Sequence, residues 1–356
     1  MLGWATNNGN CALTWIIRSL TAIATLLATL LGPSVHAADF ATDFDSLGPT
    51  VQQLTLESGR QVHYIDDGDP AWHPVVFTGG LGTSVRVIRL LDFLRSMRED
   101  LALRFITVER NGYGQTAFDP SLDMDDYVGE VQAVLQHLEI TKFSVFGISG
   151  GGPYTSKIAS LNAAHIQSVH MAATAPSLGG TDRCGEDGVT SGYAAILRYP
   201  MQFFGFPEDS PAHRVEGFQD TAYEEAARAH NLRGQRADPD PLNHETGLYC
   251  REPNIDTSMV KAPVYIYQGL ADGVLAGVDP QAWQDAYPAS NVTLRLYPGE
   301  GHDVQYRHLD QILLDLAGFA NETLVCIDGD EQRVPDHSVE HAVSDGATLG
   351  LCAWRP

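Results

Sequence analysis

Residues 143–151 read Phe-Ser-Val-Phe-Gly-Ile-Ser-Gly-Gly, an apolar run that leads to a serine between glycines. The run 143–146 is typical of a buried strand, and the stretch from Pro153 is compatible with a helix. A serine at such a sharp strand-to-helix turn has a strained backbone, so Gly147 and Gly151, two residues to either side, must be small. The turn exposes the hydroxyl and directs a helix N-terminus at it, which favours developing negative charge. Ser149 is therefore the candidate nucleophile.

Short apolar runs and amphipathic stretches alternate along much of the chain. Two strand-like runs, 51–56 and 61–65, are joined by a turn-forming segment that suggests a hairpin. Further apolar runs lie at 74–77, 104–108, 168–172, 264–267 and 293–296, with helical stretches such as 85–97 and 127–138 between them. Buried strands that alternate with helices predict an α/β fold, in which helices flank a mostly parallel sheet on both faces.

A serine hydroxyl is a weak nucleophile until a base removes its proton, so the chain should also supply a histidine and an acid. Asp272 and His302 each follow a predicted strand in a glycine-containing loop. Active sites of open α/β sheets collect at these carboxyl ends of strands. The order Ser149, Asp272, His302 matches the nucleophile, acid, base order of this architecture. Glu300 and Asp303 flank the histidine and are fallback acids.

Stabilising an oxyanion requires two backbone N–H donors. The N–H of Gly150, directly after the nucleophile, is the first candidate. The second candidate is Leu81 in the loop 78–84, which reads Thr-Gly-Gly-Leu-Gly-Thr-Ser after a predicted strand. Glycines such as Gly80 let this loop approach a bound carbonyl group.

Together these motifs resemble the α/β-hydrolase superfamily over residues 51–321. Residues 109–116, Glu-Arg-Asn-Gly-Tyr-Gly-Gln-Thr, are similar to the Asp-Arg-x-Gly-x-Gly-x-Ser segment of many members. The usual His-Gly before the oxyanion residue is Gly79-Gly80 here, so a side chain that commonly braces the loop is missing. The resemblance implies a serine hydrolase similar to esterases and lipases. Haloalkane dehalogenases and epoxide hydrolases of the superfamily have an aspartate at the position of Ser149, which disfavours those activities.

The order of these patterns divides the chain into five segments. We expect a signal peptide at 1–37, the first part of the α/β core at 38–175, an inserted helical lid at 176–258, the second part of the core at 259–320 and a C-terminal appendage at 321–356. The lid is expected because an insertion of roughly 80 residues is too long for a plain loop. Its carboxylates and aromatic residues could face a substrate or belong to the lid itself.

The targeting segment predicts export to the periplasm or the medium. An apolar core at 19–31 follows Arg18, and small residues precede a cleavage site after Ala37. The core is shorter than the roughly 20 residues that span a bilayer. An uncleaved anchor is the alternative, because residues 15–17 could lengthen the apolar span. After cleavage we expect no stable membrane anchor.

Four cysteines follow the cleavage site, and an even number in an exported protein suggests disulfides. Three connectivities are possible, and we favour Cys184 with Cys250 and Cys326 with Cys352, because each pair falls within one segment. The alternative in the tail is a Cys2His2 zinc site formed by two of these cysteines with His337 and His341. We predict no metal and no cofactor, since no glycine-rich phosphate loop with a following lysine is present.

Charge restricts the partners of the protein. The 356 residues contain 22 Lys and Arg against 45 Asp and Glu, for a net charge of -23. Such a field repels phosphate backbones and anionic lipids, so nucleic acid is excluded as a partner. The expected partner is a neutral or cationic small-molecule ester or amide; the oligomeric state stays open.

Several activities use the same constellation of residues. The leading prediction is hydrolysis of a carboxylic ester through an acyl-enzyme. Proline-iminopeptidase-like aminopeptidases and lactonases share the triad, and for the former Glu208, Asp209, Glu224 and Glu225 could hold an amino terminus. A lyase or a cofactor-independent oxygenase on the same scaffold is an alternative of another class, and a binding protein with an inactive site is a third.

Overall fold

An eight-stranded sheet lies at the centre of the structure. The computed structural model describes residues 48–178 and 240–354, together with residues 214, 220 and 221. The strand order is β1-β2-β4-β3-β5-β6-β7-β8, with β2 antiparallel to both neighbours and every other pair parallel. The strands are β1 (Gln52–Thr55), β2 (Gln61–Asp67), β3 (His73–Thr78), β4 (Leu103–Val108), β5 (Phe143–Ile148), β6 (Ile166–Ala172), β7 (Val264–Gly269) and β8 (Val292–Tyr297). Each predicted strand overlaps an observed one, and the predicted α/β class is confirmed.

Helices flank the central sheet, and a last short helix lies in the C-terminal tail. A 3-10 helix at Val85–Leu94 is followed by α1 (Arg95–Asp100), α2 (Met124–His137), α3 (Gly152–Leu161), α4 (Asp240–Arg251), α5 (Ala282–Ala286), α6 (Val304–Arg307), α7 (Leu309–Leu316) and α8 (Val339–Ser344). All six residues of β4 and of β5 are buried, as expected for strands covered on both faces. Helix α2 begins with a capping box between Asp123 and Asp126, which satisfies backbone donors of its first turn.

The C-terminal tail forms a second, three-stranded antiparallel sheet in the order β10-β9-β11. Its strands are β9 (Glu322–Ile327), β10 (Asp330–Pro335) and β11 (Thr348–Leu349). A disulfide joins Cys326 to Cys352, so the predicted disulfide-closed tail is confirmed. Because this bond uses both thiols, the zinc alternative has no thiolate ligands.

Three predictions fall wholly or largely outside the described residues. These are the signal segment 1–37, most of the lid 176–258 and the pairing of Cys184 with Cys250, since Cys184 is not described. Of the predicted lid, the structure describes its two ends and three residues between them, and helix α4 lies at the C-terminal end. Within the described ranges, no helix is both long and apolar enough to span a membrane.

Candidate active site

Ser149 lies directly after β5 in a strained turn. Its φ of 48° is in the left-handed region that residues other than glycine rarely adopt. The flanking glycines allow the close packing that this turn needs. A Cβ at Gly147 would lie 2.2 Å from Oγ1 of Thr155, and a Cβ at Gly151 would lie 2.3 Å from the carbonyl oxygen of Thr78. The requirement for small residues on both sides of the serine therefore has a steric cause.

The loops after β7 and β8 carry the predicted acid and base. Asp272 follows β7 and His302 follows β8, and parallel neighbours end at the same edge of a sheet. Gly269, at the end of β7, allows the two loops to meet. A Cβ there would lie 2.4 Å from the carbonyl oxygens of both Glu300 and Gly301.

A continuous chain of hydrogen bonds joins the three predicted residues. His302 Nε2 lies 2.9 Å from Ser149 Oγ, and His302 Nδ1 lies 2.8 Å from Asp272 Oδ2. The other carboxylate oxygen, Oδ1, accepts the backbone N–H groups of Val274 at 2.8 Å and Leu275 at 3.0 Å. With its carboxylate fixed in this way, Asp272 accepts the Nδ1–H and leaves Nε2 free to accept the serine proton. Both Asp272 and His302 are buried, whereas Ser149 is partly exposed.

The two fallback acids bond elsewhere. Glu300 Oε2 lies 2.8 Å from Nε2 of His308, and Asp303 Oδ2 accepts from Nε of Arg307 at 2.8 Å. The carboxylate that contacts His302 is therefore that of Asp272.

The predicted oxyanion donors lie next to each other beside the serine. A Cβ at Gly150 would lie 2.5 Å from the backbone nitrogen of Leu81, so residue 150 has to be glycine for the two segments to approach this closely. A Cβ at Gly80 would lie 3.7 Å from Cβ of Ser149. The structure thus brings all three predicted residues of the oxyanion site to the nucleophile.

An apolar cavity of about 130 Å³ opens at the serine. Its polar end is formed by Ser149, His302 and the loop 78–84. Its apolar wall includes Phe77, Val87, Leu91, Ile148, Leu275 and Tyr306. Among the described lining residues, none carries a full charge unless His302 is protonated. The cavity therefore suits an uncharged, compact group next to the nucleophile.

Similarity to known proteins is found in structure and not in sequence: no protein-family model and no curated protein matches this chain. An α/β hydrolase fold protein from Chitinophaga pinensis shares 17% identity over 77% of this chain and 98% of its own, with a TM-score of 0.56. The chain has the α/β-hydrolase fold. At this identity the similarity establishes the fold alone and says nothing of the reaction.

Two other solved structures with this fold differ in their reactions. A carboxylesterase structure from Nitrososphaera gargenis shares 17% identity over 76% of this chain and 97% of its own, with a TM-score of 0.55. The enol-lactonase from Burkholderia xenovorans LB400 shares 16% identity over 76% of this chain and 99% of its own, with a TM-score of 0.54. The α/β-hydrolase fold therefore does not by itself select a substrate.

A buried ion pair lies beside the loop 78–84, called the oxyanion loop below, and was not predicted from the sequence. Arg110 Nη1 lies 2.5 Å from Glu245 Oε1, and both side chains are buried. The hydroxyl of Tyr113 donates to Glu245 Oε2 at 2.7 Å, and the hydroxyl of Tyr249 lies 3.0 Å from Oε1. Burial disfavours the charge on Arg110, but the Glu245 carboxylate outweighs this effect and raises the pKa of Arg110 above its usual range. Arg110 is therefore a permanent cation beneath the loop.

Arg110 also explains how the loop is held without the histidine usual in this fold. Its Nη2 donates to the carbonyl oxygen of Gly80, and to the carbonyl oxygen and Oγ1 of Thr83 at 3.2 and 3.1 Å. A Cβ at Gly79 would lie 2.4 Å from Val87 and 2.6 Å from Oγ1 of Thr83. A histidine at position 79 would therefore displace the hydroxyl that Arg110 binds.

Proposed function

We propose that the protein is a serine hydrolase that cleaves a carboxylic ester through an acyl-enzyme. The observation that carries the proposal is the hydrogen-bonded chain from Ser149 through His302 to Asp272, at the polar end of an apolar cavity. A serine, a base and an orienting acid within hydrogen-bond distance are the arrangement that nucleophilic catalysis requires.

In the first half of the reaction, Ser149 Oγ attacks the ester carbonyl carbon while His302 Nε2 takes the hydroxyl proton. The carbonyl oxygen becomes an oxyanion, and the N–H groups of Gly150 and Leu81 are its proposed donors. When the intermediate collapses, the bond to the alkoxy oxygen breaks and His302 gives its proton to the leaving alcohol. An acyl group then remains on Ser149.

In the second half, water attacks the acyl carbon and His302 takes a proton from it. Collapse breaks the bond to Ser149 Oγ, the serine regains its proton from His302, and the carboxylic acid leaves. Asp272 accepts three hydrogen bonds, and through the one from Nδ1–H it orients His302 and stabilises the imidazolium in each half.

The lining of the cavity supports an uncharged acyl group. The described lining residues include no carboxylate that could bind a free amino terminus. The carboxylates suggested for an aminopeptidase, Glu208, Asp209, Glu224 and Glu225, lie outside the described residues. Because the described lining is apolar and uncharged, neutral esters are the leading substrates, and cyclic esters are the second candidate since they present the same reacting carbonyl group.

The test compares the mature protein with its Ser149→Ala variant on short-chain nitrophenyl esters, lactones and proline amides. Where a triad acts as a unit, loss of the serine costs up to about a millionfold in kcat. A fluorophosphonate should label Ser149 in the wild-type protein alone. Equal ester turnover by the variant would refute the assignment. Labelling without turnover of any ester, lactone or amide would favour a lyase or oxygenase, and absence of labelling would favour a binding protein.

We further propose that the protein is exported. The apolar segment at 19–31 and the small residues before Ala38 support a cleaved signal peptide, and the Cys326–Cys352 disulfide supports an oxidising compartment. Mass spectrometry of protein recovered from outside the cytoplasm should find Ala38 at the N-terminus. Recovery of the intact chain in the membrane fraction would support the uncleaved anchor instead.

A further inference from the structure

Arg110 contacts the peptide unit that carries the second proposed oxyanion donor. The carbonyl group of Gly80 and the N–H group of Leu81 belong to one peptide bond, and Arg110 Nη2 donates to that carbonyl oxygen. The two groups point in opposite directions across a trans peptide, so a donor bound to the oxygen fixes the direction of the N–H group. A cation at the carbonyl oxygen also polarises the unit and strengthens the N–H as a donor.

Thr83 supports the same carbonyl group. Its Oγ1 donates to the carbonyl oxygen of Gly80 at 2.8 Å and accepts from Arg110 at 3.1 Å. The Gly80 oxygen therefore has two donors in a site where the Thr83 side chain is buried.

Glu245 holds the arrangement from helix α4. Its Oε1 pairs with Arg110, and its Oε2 accepts the N–H of Gly82 at 3.1 Å. The loop is thus anchored on both sides of Leu81, at Gly80 through Arg110 and at Gly82 directly. The neighbouring Tyr249 hydroxyl donates to the carbonyl oxygen of Gly150 at 2.5 Å, so the same cluster also touches the segment of the first donor.

We infer that Glu245, Arg110 and Thr83 are positioning residues that orient and polarise the Leu81 N–H for the oxyanion. This inference rests on the proposed hydrolase function. Glu245 is not one of the hydrogen-bonded residues Ser149, His302 and Asp272. It affects the transition state only through the position of the oxyanion loop.

Two variants weaken this arrangement to different extents. Thr83→Val keeps the shape of the side chain and removes its hydrogen bond to Gly80 and one acceptor of Arg110 Nη2. Arg110 keeps the carbonyl oxygens of Gly80 and Thr83, so we expect kcat to fall only about fivefold. Glu245→Gln removes the charge that holds Arg110, and loss of a charge-assisted contact should lower kcat between about tenfold and a hundredfold. KM should change less than threefold in both variants, because the oxyanion forms after the substrate binds.

A matched control separates positioning from stability. Arg295 and Asp315 form another buried ion pair, with Nε to Oδ2 at 2.6 Å, on the elements that carry the tail. Asp315→Asn should lower the melting temperature and leave kcat unchanged at temperatures where the protein is folded. If Asp315→Asn lowers kcat as much as Glu245→Gln does, the effect is one of stability and the inference is wrong.

The decisive measurement is the affinity for a trifluoromethyl ketone with the acyl chain of the best nitrophenyl ester. Such a ketone forms an oxyanion adduct with the serine, so its inhibition constant should rise by the same factor by which kcat/KM falls in both variants. If the wild type neither hydrolyses esters nor reacts at Ser149, the proposed function fails. If the wild type is active while Thr83→Val and Glu245→Gln leave kcat and ketone affinity unchanged, the inference alone fails.

Discussion

Replacing Asp272 with asparagine tests how the structure fixes the proton on His302. Oδ1 of Asp272 accepts two backbone N–H groups, from Val274 and Leu275, and Oδ2 accepts the Nδ1–H of His302. Asparagine offers one oxygen and one NH2 group in the same space. The two backbone donors hold its oxygen, which leaves the NH2 group facing His302.

An NH2 group can donate only to an unprotonated Nδ1, so the imidazole proton moves to Nε2. In that tautomer Nε2 cannot accept the proton of Ser149. The alternative is an amide flip, which restores the contact with His302 but leaves two buried backbone donors without an acceptor, at about 1–3 kcal/mol each. The inactive arrangement is therefore favoured by about 2–6 kcal/mol, and kcat should fall between about 30-fold and about 3 × 10⁴-fold.

The assay is kcat for a nitrophenyl ester that the wild-type protein cleaves, with thermal melting to show that each variant folds. Asp272→Ala presents no NH2 group, so His302 can still reach the active tautomer and this variant should be more active than Asp272→Asn. Glu300→Gln changes a carboxylate that contacts His308 instead, and it should retain the wild-type kcat. An asparagine variant at least as active as the alanine variant would refute the tautomer argument.

Three further predictions concern the oxyanion site, the tail and the pH dependence of stability. Gly150→Ala inserts a Cβ 2.5 Å from the backbone nitrogen of Leu81, so kcat should fall on the order of a hundredfold. The control is Gly129→Ala in α2, whose added Cβ would have no neighbouring atom within 4 Å and should leave kcat unchanged. Steady-state kinetics compares the two variants. Replacing Cys326 and Cys352 by serine opens a loop with a sequence separation of 26, and urea unfolding should show a loss of about 3.5 kcal/mol. Burial raises the pKa of Asp92 to about 6. Between about pH 4 and pH 6 the Asp92 carboxyl is therefore more protonated in the folded state than in the unfolded state. The free energy of unfolding should fall by up to about 3 kcal/mol from this group as the pH rises through that window. Urea unfolding at pH 4.5 and 7 should show a smaller loss of stability with rising pH in Asp92→Asn than in the wild type.

The parts of the structure that were predicted are those whose cause is local in the sequence. Strand β5 is buried along its whole length, so it had to be an apolar run, and the turn at Ser149 had to contain small residues because of its sterics. Strand β10 was missed because Asp330–Pro335 is polar and partly exposed, without a clear alternation. The stretch 85–97 was predicted as one amphipathic helix, and its first part, Val85–Leu94, is a 3-10 helix.

The ion pair beside the oxyanion loop could not be predicted because its partners are distant in sequence. Tyr113 and Glu245, which meet in the same cluster, are 132 residues apart. One signal was present: Leu242, Glu245 and Leu248 recur at helical spacing, which places a glutamate on the apolar face of α4. A carboxylate on such a face predicts a buried partner but does not identify it.

Burying two charges costs free energy, so the position of the Arg110–Glu245 pair needs an explanation other than stability. A buried pair such as Arg110 with Glu245 rarely stabilises a fold more than apolar residues of similar volume would, because desolvation offsets the attraction. The second pair, Arg295 on β8 with Asp315 on α7, also binds the Tyr267 hydroxyl and the backbone oxygens of Ala320 and Glu322, and so joins the second sheet to the first. The Arg110 pair instead directs its donors at the loop beside the serine. Two pairs with the same chemistry thus differ in what their hydrogen bonds reach, so disrupting the first should lower turnover and disrupting the second should lower stability.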